Sequence, residues 1–296
     1  MHWFVSGSRG QLGSALLERL ARTGAEAGGA DVLDGFDTGE PDLVRKQLAS
    51  LPRPLVWVNA ASFTQVDRCE REPELARRAN ALAPAVLAQA CAEDGVRLVH
   101  VSTDYVFSGD ASRPYREDDP TGPRSVYGRT KLDGDLAVLS ASHDFLVVRT
   151  SWVFGKGRNF IAAVLDQAAA RRAGTATGPL RVVDDQRGRP TYAVDLAEAI
   201  VQLVSVGARG LVNFANEGIA TWWDIARFAL DEAGDRDIAI DRIGTGDLRT
   251  DAVRPAWSVL DTARAESLGV KPRRWQEAVT AYLHSNHSPL AKSVEV

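Results

Sequence analysis

The chain has 296 residues, 45% apolar and 25% charged, with a formal net charge of −4. Those proportions exclude disordered, collagen-like and disulfide-stapled classes, and the acidic balance leaves no broad cationic face for nucleic acid. No apolar run approaches the roughly 20 residues of a membrane span.

A short strand, MHWFV, leads into Ser6-Gly7, and the glycine-punctuated segment GSRGQLG from Gly7 to Gly13 opens a helix in SALLERLAR. Strand-length apolar runs follow at Leu55–Asn59, Arg97–Ser102 and Phe145–Arg149, with helices expected at Leu43–Ala49, Glu74–Ala92 and Val126–Leu139. Continuously apolar strands alternating with helices predict a parallel sheet covered on both faces, a doubly wound α/β fold of Rossmann type. The weak element is the second strand, expected near Ala30–Leu33. Past Arg149 the pattern predicts a helix at Asn159–Arg171, then a strand, turn and helix in RVVDDQRGRPTYAVDLAEAI. A returning strand at Leu211–Ala215 and helices in TWWDIARFALDEAG and WQEAVTAYL complete it. The expected division is a dinucleotide-binding unit of residues 1–155 plus about 180–215, and a smaller C-terminal substrate-binding lobe of about 156–179 plus 216–296. The first residues carry no basic stretch followed by a long apolar one, so no secretory leader is expected. Cys69 and Cys91, each in a predicted helix without metal-type spacing, read as free thiols of a cytoplasmic enzyme.

Gly7, Gly10 and Gly13 follow a strand and open a helix, the context in which such glycines let a backbone approach a pyrophosphate at a helix N-terminus. The competing reading is a plain glycine-rich turn. Asn59-Ala60-Ala61 ends the next strand with small residues, suited either to a flat ligand lying on the sheet edge or to simple turn packing. Tyr127 and Lys131, one helical turn apart, share a helix face. An ammonium there would stabilise a phenolate and lower the tyrosine pKa, which suits a general acid protonating a carbonyl oxygen as hydride reaches its carbon. Such a pair alone is usually a surface pair, but Ser102-Thr103-Asp104 ends the RLVHVS strand and supplies a hydroxyl for the same carbonyl.

Together these elements resemble the extended short-chain dehydrogenase/reductase superfamily. Narrower blocks are similar to one branch, the dTDP-4-dehydrorhamnose reductases: GQLG, the NAASFTQVD run from Asn59 to Asp67, STDYVFSG from Ser102 to Gly109, and PYREDDPTGPRSVYGRTK ending at Lys131. RTSWVFG at Arg149–Gly155, DDQRGRPT at Asp184–Thr191 and RPAWSVLD at Arg254–Asp261 extend the likeness over most of the chain. The resemblance implies that Tyr127 is the proton donor, that Lys131 is its electrostatic partner reaching the nicotinamide ribose, and that Thr103 orients the sugar's C4 carbonyl. It implies that Gly7, Gly10 and Gly13, with Gln11 and Leu12 of the GQLG block, hold the cofactor, with Asn59, Ala60 and Ala61 beside its adenosine half. Val66, Asp104, Tyr105 and Trp152 would line the sugar site, and Asn159 and Arg189 would meet the nucleotide-sugar phosphates.

Asp34 is a candidate for the ribose hydroxyls of NADH, whereas Arg9, inside the glycine loop, would meet the 2′-phosphate of NADPH. NADPH is expected, with NADH possible. Some members of the branch form Mg²⁺-bridged dimers through carboxylates; the tail has one acid, Glu295, so no metal is expected, and the chain is expected to be a monomer or homodimer. His100, on a buried-strand pattern, reads as a hydrogen-bonded core histidine, and Trp222 and Trp223 as the start of a helix capped by Thr221. The expected activity is reduction of a nucleotide-linked 4-ketosugar, dTDP-4-dehydro-L-rhamnose to dTDP-L-rhamnose. The alternatives are a 4-ketoreductase for another dTDP-deoxysugar of a secondary-metabolite pathway and a non-catalytic cofactor-binding regulatory subunit.

Overall fold

A computed structural model describes residues 1–290. Strands β1 (His2–Ser6), β2 (Ala27–Ala30), β3 (Leu55–Asn59), β4 (Arg97–Thr103) and β5 (Leu146–Thr150) alternate with helices α1 (Gln11–Arg22), α2 (Pro41–Ser50), α3 (Val66–Arg71), α4 (Pro73–Arg77), α5 (Ala83–Glu93) and α6 (Val126–Ala141). Beyond them lie β6 (Val153–Phe154), α7 (Phe160–Arg172), β7 (Leu180–Val183), β8 (Thr191–Tyr192), α8 (Ala193–Ser205), β9 (Gly210–Asn213), α9 (Trp222–Glu232), β10 (Ile240–Ile243), α10 (Ala263–Ser267) and α11 (Trp275–Leu283). Six strands form one parallel sheet in the order β2-β1-β3-β4-β5-β9. The chain moves outward from β1 to β2 and then returns to the other side of β1 as β3. The strand order therefore reverses between β1 and β3, the place where open α/β sheets leave a crevice.

Both faces of the sheet are covered, which is why β3 and β5 are buried at every position and carry no alternation. On one face α1 and α8 pack Leu16, Leu20, Leu196, Ile200 and Leu203 against Val5, Val58, Val99 and Val148. On the other, α2, α5 and α6 pack Val44, Leu48, Leu87, Cys91 and Val138 against Phe4, Trp57, Leu98 and Val147. A separate apolar cluster joins α7, α9 and α11 through Ile161, Leu165, Ile225, Leu230, Val279 and Tyr282.

Two placements differ from the sequence expectation. The second strand lies at Ala27–Ala30, not Ala30–Leu33; the latter stretch enters a single 3₁₀ turn, Val32–Asp34, because Asp31 caps it by accepting from Leu33 N at 3.1 Å. Gly28 and Gly29 give that strand no β-propensity, so only pairing with β1 makes it a strand. Residues 180–183, assigned above to the dinucleotide unit, instead pair with β10 and bury Leu180 and Val182 in the α7–α9–α11 cluster. Conversely Ala265 and Val270, near the chain's end, return to the core beside α8.

Helix α6 is the element on which the candidate chemistry sits, and its backbone packs unusually close. Ser125 caps it, accepting from Gly128 N at 3.1 Å. A side chain at Gly128 would overlap Tyr105 O, and one at Gly134 would overlap Asn80 O. Asn80 lies in a π-helical turn, Arg78–Leu82, between α4 and α5, which brings that carbonyl against α6. Gly134→Ala forces these backbones apart; its expected cost is about 1–3 kcal/mol of stability, read from the denaturant midpoint. An unchanged midpoint would show that α6 has room to move.

Candidate active site

The glycine loop and the end of β3 meet at the switch point. Gly7 has φ +76°, and a Cβ on it would lie 2.6 Å from Ala61 N. A Cβ on Gly13 would overlap Gly7 O, so the first turn of α1 lies directly on the loop. These contacts require glycine. Above them opens a groove of about 400 Å³ lined by Ser6, Gly7, Gly10, Asp31, Phe36, Thr38, Ala60, Ala61, Phe63 and Arg78, among others. Gly10 stands at the N-cap of α1 with no side chain to close the helix end, leaving its N–H groups and dipole for an anion. An elongated dinucleotide with a pyrophosphate fits this shape and chemistry.

The side chains of several residues expected at the cofactor make scaffold contacts, which leaves Gln11 and Leu12 only their backbone N–H groups at the start of α1. Leu12 is buried in the core under α1. Gln11 donates from Nε2 to Arg158 O at 3.0 Å and so ties α1 to the loop before α7. Asn59 is buried, with Oδ1 accepting from Ser6 Oγ at 3.0 Å and from Ala61 N at 3.2 Å; it shapes the turn that Ala60 and Ala61 expose. Arg9 and Asp34, the rival candidates for cofactor discrimination, form an ion pair with each other. The acid at the end of β2 is therefore Asp31, a wall of the groove, whose Oδ2 accepts from Arg9 N at 3.2 Å.

At the C-terminal end of β4, Thr103 Oγ1 accepts from Tyr105 N at 3.2 Å and donates to Asp104 Oδ1 at 3.0 Å. Tyr127 packs with Cys69, Ala76, Phe63, Val66 and Tyr105, its ring edge-on to Tyr105 with centroids 5.5 Å apart. Val66, Thr103, Asp104, Tyr105 and Tyr127 thus converge. Arg254 adds a tether that the sequence reading missed: it donates to Tyr105 Oη at 3.3 Å and to Asp67 Oδ2 at 2.7 Å, drawing the segment before α10 over this corner. Asp67, Tyr105 and Arg254 lie in the blocks NAASFTQVD, STDYVFSG and RPAWSVLD, but nothing local links positions so far apart in the chain.

The electrostatics differ from expectation. Burial raises the Tyr127 pKa above the ordinary phenol value, and the polar Thr103 side chain nearby opposes this only partly. Lys131 does not lower it: its Nζ is turned onto Val101 O at 2.7 Å and His100 Nε2 at 3.3 Å. Desolvation pulls Lys131 itself down to about 8, against a favourable Asp135. Burial also pushes Asp104 up to about 6, although Ser258 and Thr103 favour its carboxylate. Deeper still, Asp135 accepts from Arg149 Nε at 3.1 Å, and both are buried.

Trp152 has φ +47°, a strained conformation for a bulky residue. Its ring stacks on Trp222 with centroids 3.9 Å apart, and a Cβ at Gly188 would meet it at 2.5 Å. Trp222 also lines a second cavity of about 330 Å³ in the lobe, with Phe160, Gln167, Arg181, Gln186 and Arg254. Neither phosphate candidate lines it. Asn159 caps α7, accepting from Ala162 N at 3.0 Å and donating to Gly155 O and Tyr282 Oη, which commits its polar atoms. Arg189 turns to Thr262 Oγ1 at 3.0 Å. Trp222 and Trp223 start α9 behind a Thr221–Asp224 capping box, as the sequence reading expected. Among the described residues no group of three or more His, Cys, Asp or Glu is placed to hold a metal, and no helix is long and apolar enough to cross a membrane. Glu295, on which the metal expectation turned, lies outside the described residues.

A family model described as the RmlD substrate binding domain matches residues 1–288. The chain belongs to that family. A probable dTDP-4,6-dihydroxy-2-methyloxan-3-one 4-ketoreductase of Streptomyces antibioticus is 40% identical, covering 98% of each chain. A dTDP-4-dehydrorhamnose reductase of Mycolicibacterium smegmatis is 39% identical over 93% of this chain and 83% of its own. The crystal structure of dTDP-4-dehydrorhamnose reductase from Bacillus anthracis, in complex with NADP, is similar with a TM-score of 0.88 at 29% identity, covering 95% of this chain and 98% of the other. The family resemblance and the Rossmann-type fold read from the motifs are both borne out.

Burying an ammonium costs folding free energy whenever the lysine is charged. Lys131 falls from 10.5 in the open chain to about 8 in the fold, so this cost is complete below pH 8 and fades as pH rises toward 10.5. Lys131→Met removes it. The variant is expected to unfold at a higher temperature than the parent at pH 7, by about 1–3 kcal/mol of stability, with the gain shrinking above pH 8. A lower midpoint at pH 7 would contradict the direction of the shift.

Proposed function

We propose that this protein reduces a nucleotide-linked 4-ketosugar with NADPH, most simply dTDP-4-dehydro-L-rhamnose to dTDP-L-rhamnose. The observation that carries the reading is the convergence of Tyr127, Thr103, Asp104, Tyr105 and Val66 at the sheet's carboxyl edge, in a chain of the family above. Gly7, Gly10, Ala60 and Ala61 hold the dinucleotide in the groove, and when bound it supplies the hydride delivered to C4. Tyr127 donates its phenolic proton to the C4 oxygen. The raised pKa keeps that proton on the phenol at neutral pH, until an alkoxide, a far stronger base, needs it. Thr103 holds the C4 oxygen in line with the phenol, and Trp152 with Tyr105 closes over the sugar. The lobe cavity lined by Trp222, Arg181 and Arg254 suits the nucleotide end of such a substrate. The dinucleotide-binding and substrate-binding units then divide the work, with residues 180–183 in the latter.

Purified protein with dTDP-4-dehydro-L-rhamnose and NADPH is expected to consume the reduced nicotinamide absorbance. Tyr127→Phe should lower turnover by roughly 10²–10⁴-fold with cofactor binding retained. Loss of cofactor binding instead would assign Tyr127 to binding, and absence of turnover with either nicotinamide would remove the rhamnose assignment. The Streptomyces relative favours a second reading, a 4-ketoreductase for another dTDP-deoxysugar, which a panel of 4-ketosugars separates.

Arg9 is the cation for the 2′-phosphate, but Asp34 occupies it. Asp34→Ala frees the guanidinium and is expected to lower the KM for NADPH several-fold relative to that for NADH. Equal changes for both nicotinamides would show that Arg9 does not meet the 2′-phosphate.

A further inference from the structure

Buried polar side chains on three neighbouring strands and α6 form a single file of hydrogen bonds beneath the groove. Trp57 Nε1 donates to Ser6 Oγ at 3.1 Å, and Ser6 Oγ donates to Asn59 Oδ1 at 3.0 Å. Asn59 Nδ2 meets His100 Nδ1 at 3.1 Å, and His100 Nε2 lies 3.3 Å from Lys131 Nζ. The parallel register sets Ser6 beside Asn59 and Asn59 beside His100, so the file runs straight across β1, β3 and β4. Ser6, Asn59, His100 and Lys131 are all buried, so the protein itself must satisfy their polar atoms.

The direction of each bond follows from a donor that cannot reverse. The backbone N–H of Ala61 donates to Asn59 Oδ1, which makes that atom the amide oxygen and turns the amide nitrogen to His100. An amide nitrogen only donates, so His100 Nδ1 accepts and the ring proton sits on Nε2, facing the lysine. Lys131 Nζ donates to Val101 O. An ammonium has no lone pair, so against Nε2–H it presents donor to donor; the neutral amine presents a lone pair and accepts.

We infer that Asn59 locks His100 as its Nε2–H tautomer, and that His100 is a positioning residue for Lys131, holding the lysine against Val101 O and favouring its amine over its ammonium. The lysine then exchanges its proton within the working pH range of the enzyme. Only the purpose of that exchange rests on the reductase reading; the tautomer and its effect on the lysine do not. The titratable and charged groups that face Lys131 are Asp135 on its own helix and His100 on β4, with Arg149 of β5 on the far side of Asp135 and Tyr127 one helical turn away. Asp135 favours the ammonium; its Oδ2 accepts from Arg149, and its Oδ1 lies 3.9 Å from His100 Nε2, beyond hydrogen-bond reach, so the lysine remains the group nearest that ring proton. Burial and the lysine together keep His100 neutral, so the ring stays a single-proton donor on that side. Because one Asn59 oxygen also holds Ala61 N, the same file joins the floor of the cofactor groove to the lysine.

Two spectra of the full-length protein, taken without substrate, test the inference. In long-range ¹H–¹⁵N correlation of ¹⁵N-histidine-labelled protein, the ring absent from His100→Phe is expected to show a bare Nδ1 and a protonated Nε2 from pH 6 to 8. A protonated Nδ1 or an imidazolium overturns the proposal. In protein labelled at lysine ¹³Cε, the resonance absent from Lys131→Met is expected to titrate about one pH unit or more higher in His100→Phe than in the parent. An unmoved or lowered midpoint overturns it as well. If His100→Phe does not fold, the parent's ring is assigned with His100→Gln and the tautomer result decides. Failure in these spectra leaves the reductase reading standing, and failure to reduce any ketosugar leaves the spectra standing.

Discussion

The backbone of α6 rests on two carbonyl oxygens, Tyr105 O at Gly128 and Asn80 O at Gly134, and the rest of the site depends on that seat. It fixes how far Tyr127 stands from the end of β4 and how deep Lys131 lies. The π-helical turn at Arg78–Leu82 serves the same seat by presenting Asn80 O, while Asn80 Oδ1 accepts from Phe63 N at 2.8 Å and so holds the strand-end loop against the tyrosine cluster. Close approach removes any tolerance for a side chain at either glycine, and in exchange the helix cannot slide. Catalytic groups that must meet a reacting atom within a fraction of an ångström need a support of this kind.

That seat has an electrostatic consequence. The buried face of α6 carries Tyr127, Thr130, Lys131 and Asp135 before its first buried aliphatic side chain, Val138. Polar groups taken out of water need partners, and most here have one: Thr130 donates to Val126 O, Asp135 Oδ2 accepts from Arg149, and Lys131 lies between Val101 O and His100, while Asp135 Oδ1 has no hydrogen-bond partner among the described residues. Desolvation, not a neighbouring charge, sets the direction of the shifts on Tyr127, Lys131 and Asp104. The tyrosine–lysine spacing suggested phenolate stabilisation by an ammonium; in the fold Lys131 Nζ is turned onto Val101 O and His100.

Contacts distant in sequence then close the corner. Arg254 bridges Tyr105 and Asp67, and Trp152 holds a strained backbone because Trp222 stacks on it and Gly188 leaves room for its ring. The lobe's own core of α7, α9 and α11, against which Trp152 and Trp222 pack, sustains that strain.

The strand–helix alternation, the glycine loop at a strand end and the tyrosine–lysine helix were legible in the chain because they are local: each is a period or a spacing within some twenty residues. Family blocks such as STDYVFSG added which chemistry to expect. The second strand was misplaced because Gly28 and Gly29 have no strand signal of their own and take that form only by pairing with β1. Gln11 and Asn59 lie in family motifs and Asn159 just past one, yet their side chains are consumed by partners that only the folded chain brings near: Arg158 O, His100 and Tyr282 Oη. Residue type and spacing state which groups are available. Whether a group faces ligand or scaffold, and which proton it carries, depends on burial and on the direction of hydrogen bonds across strands, and those exist only once the sheet has formed.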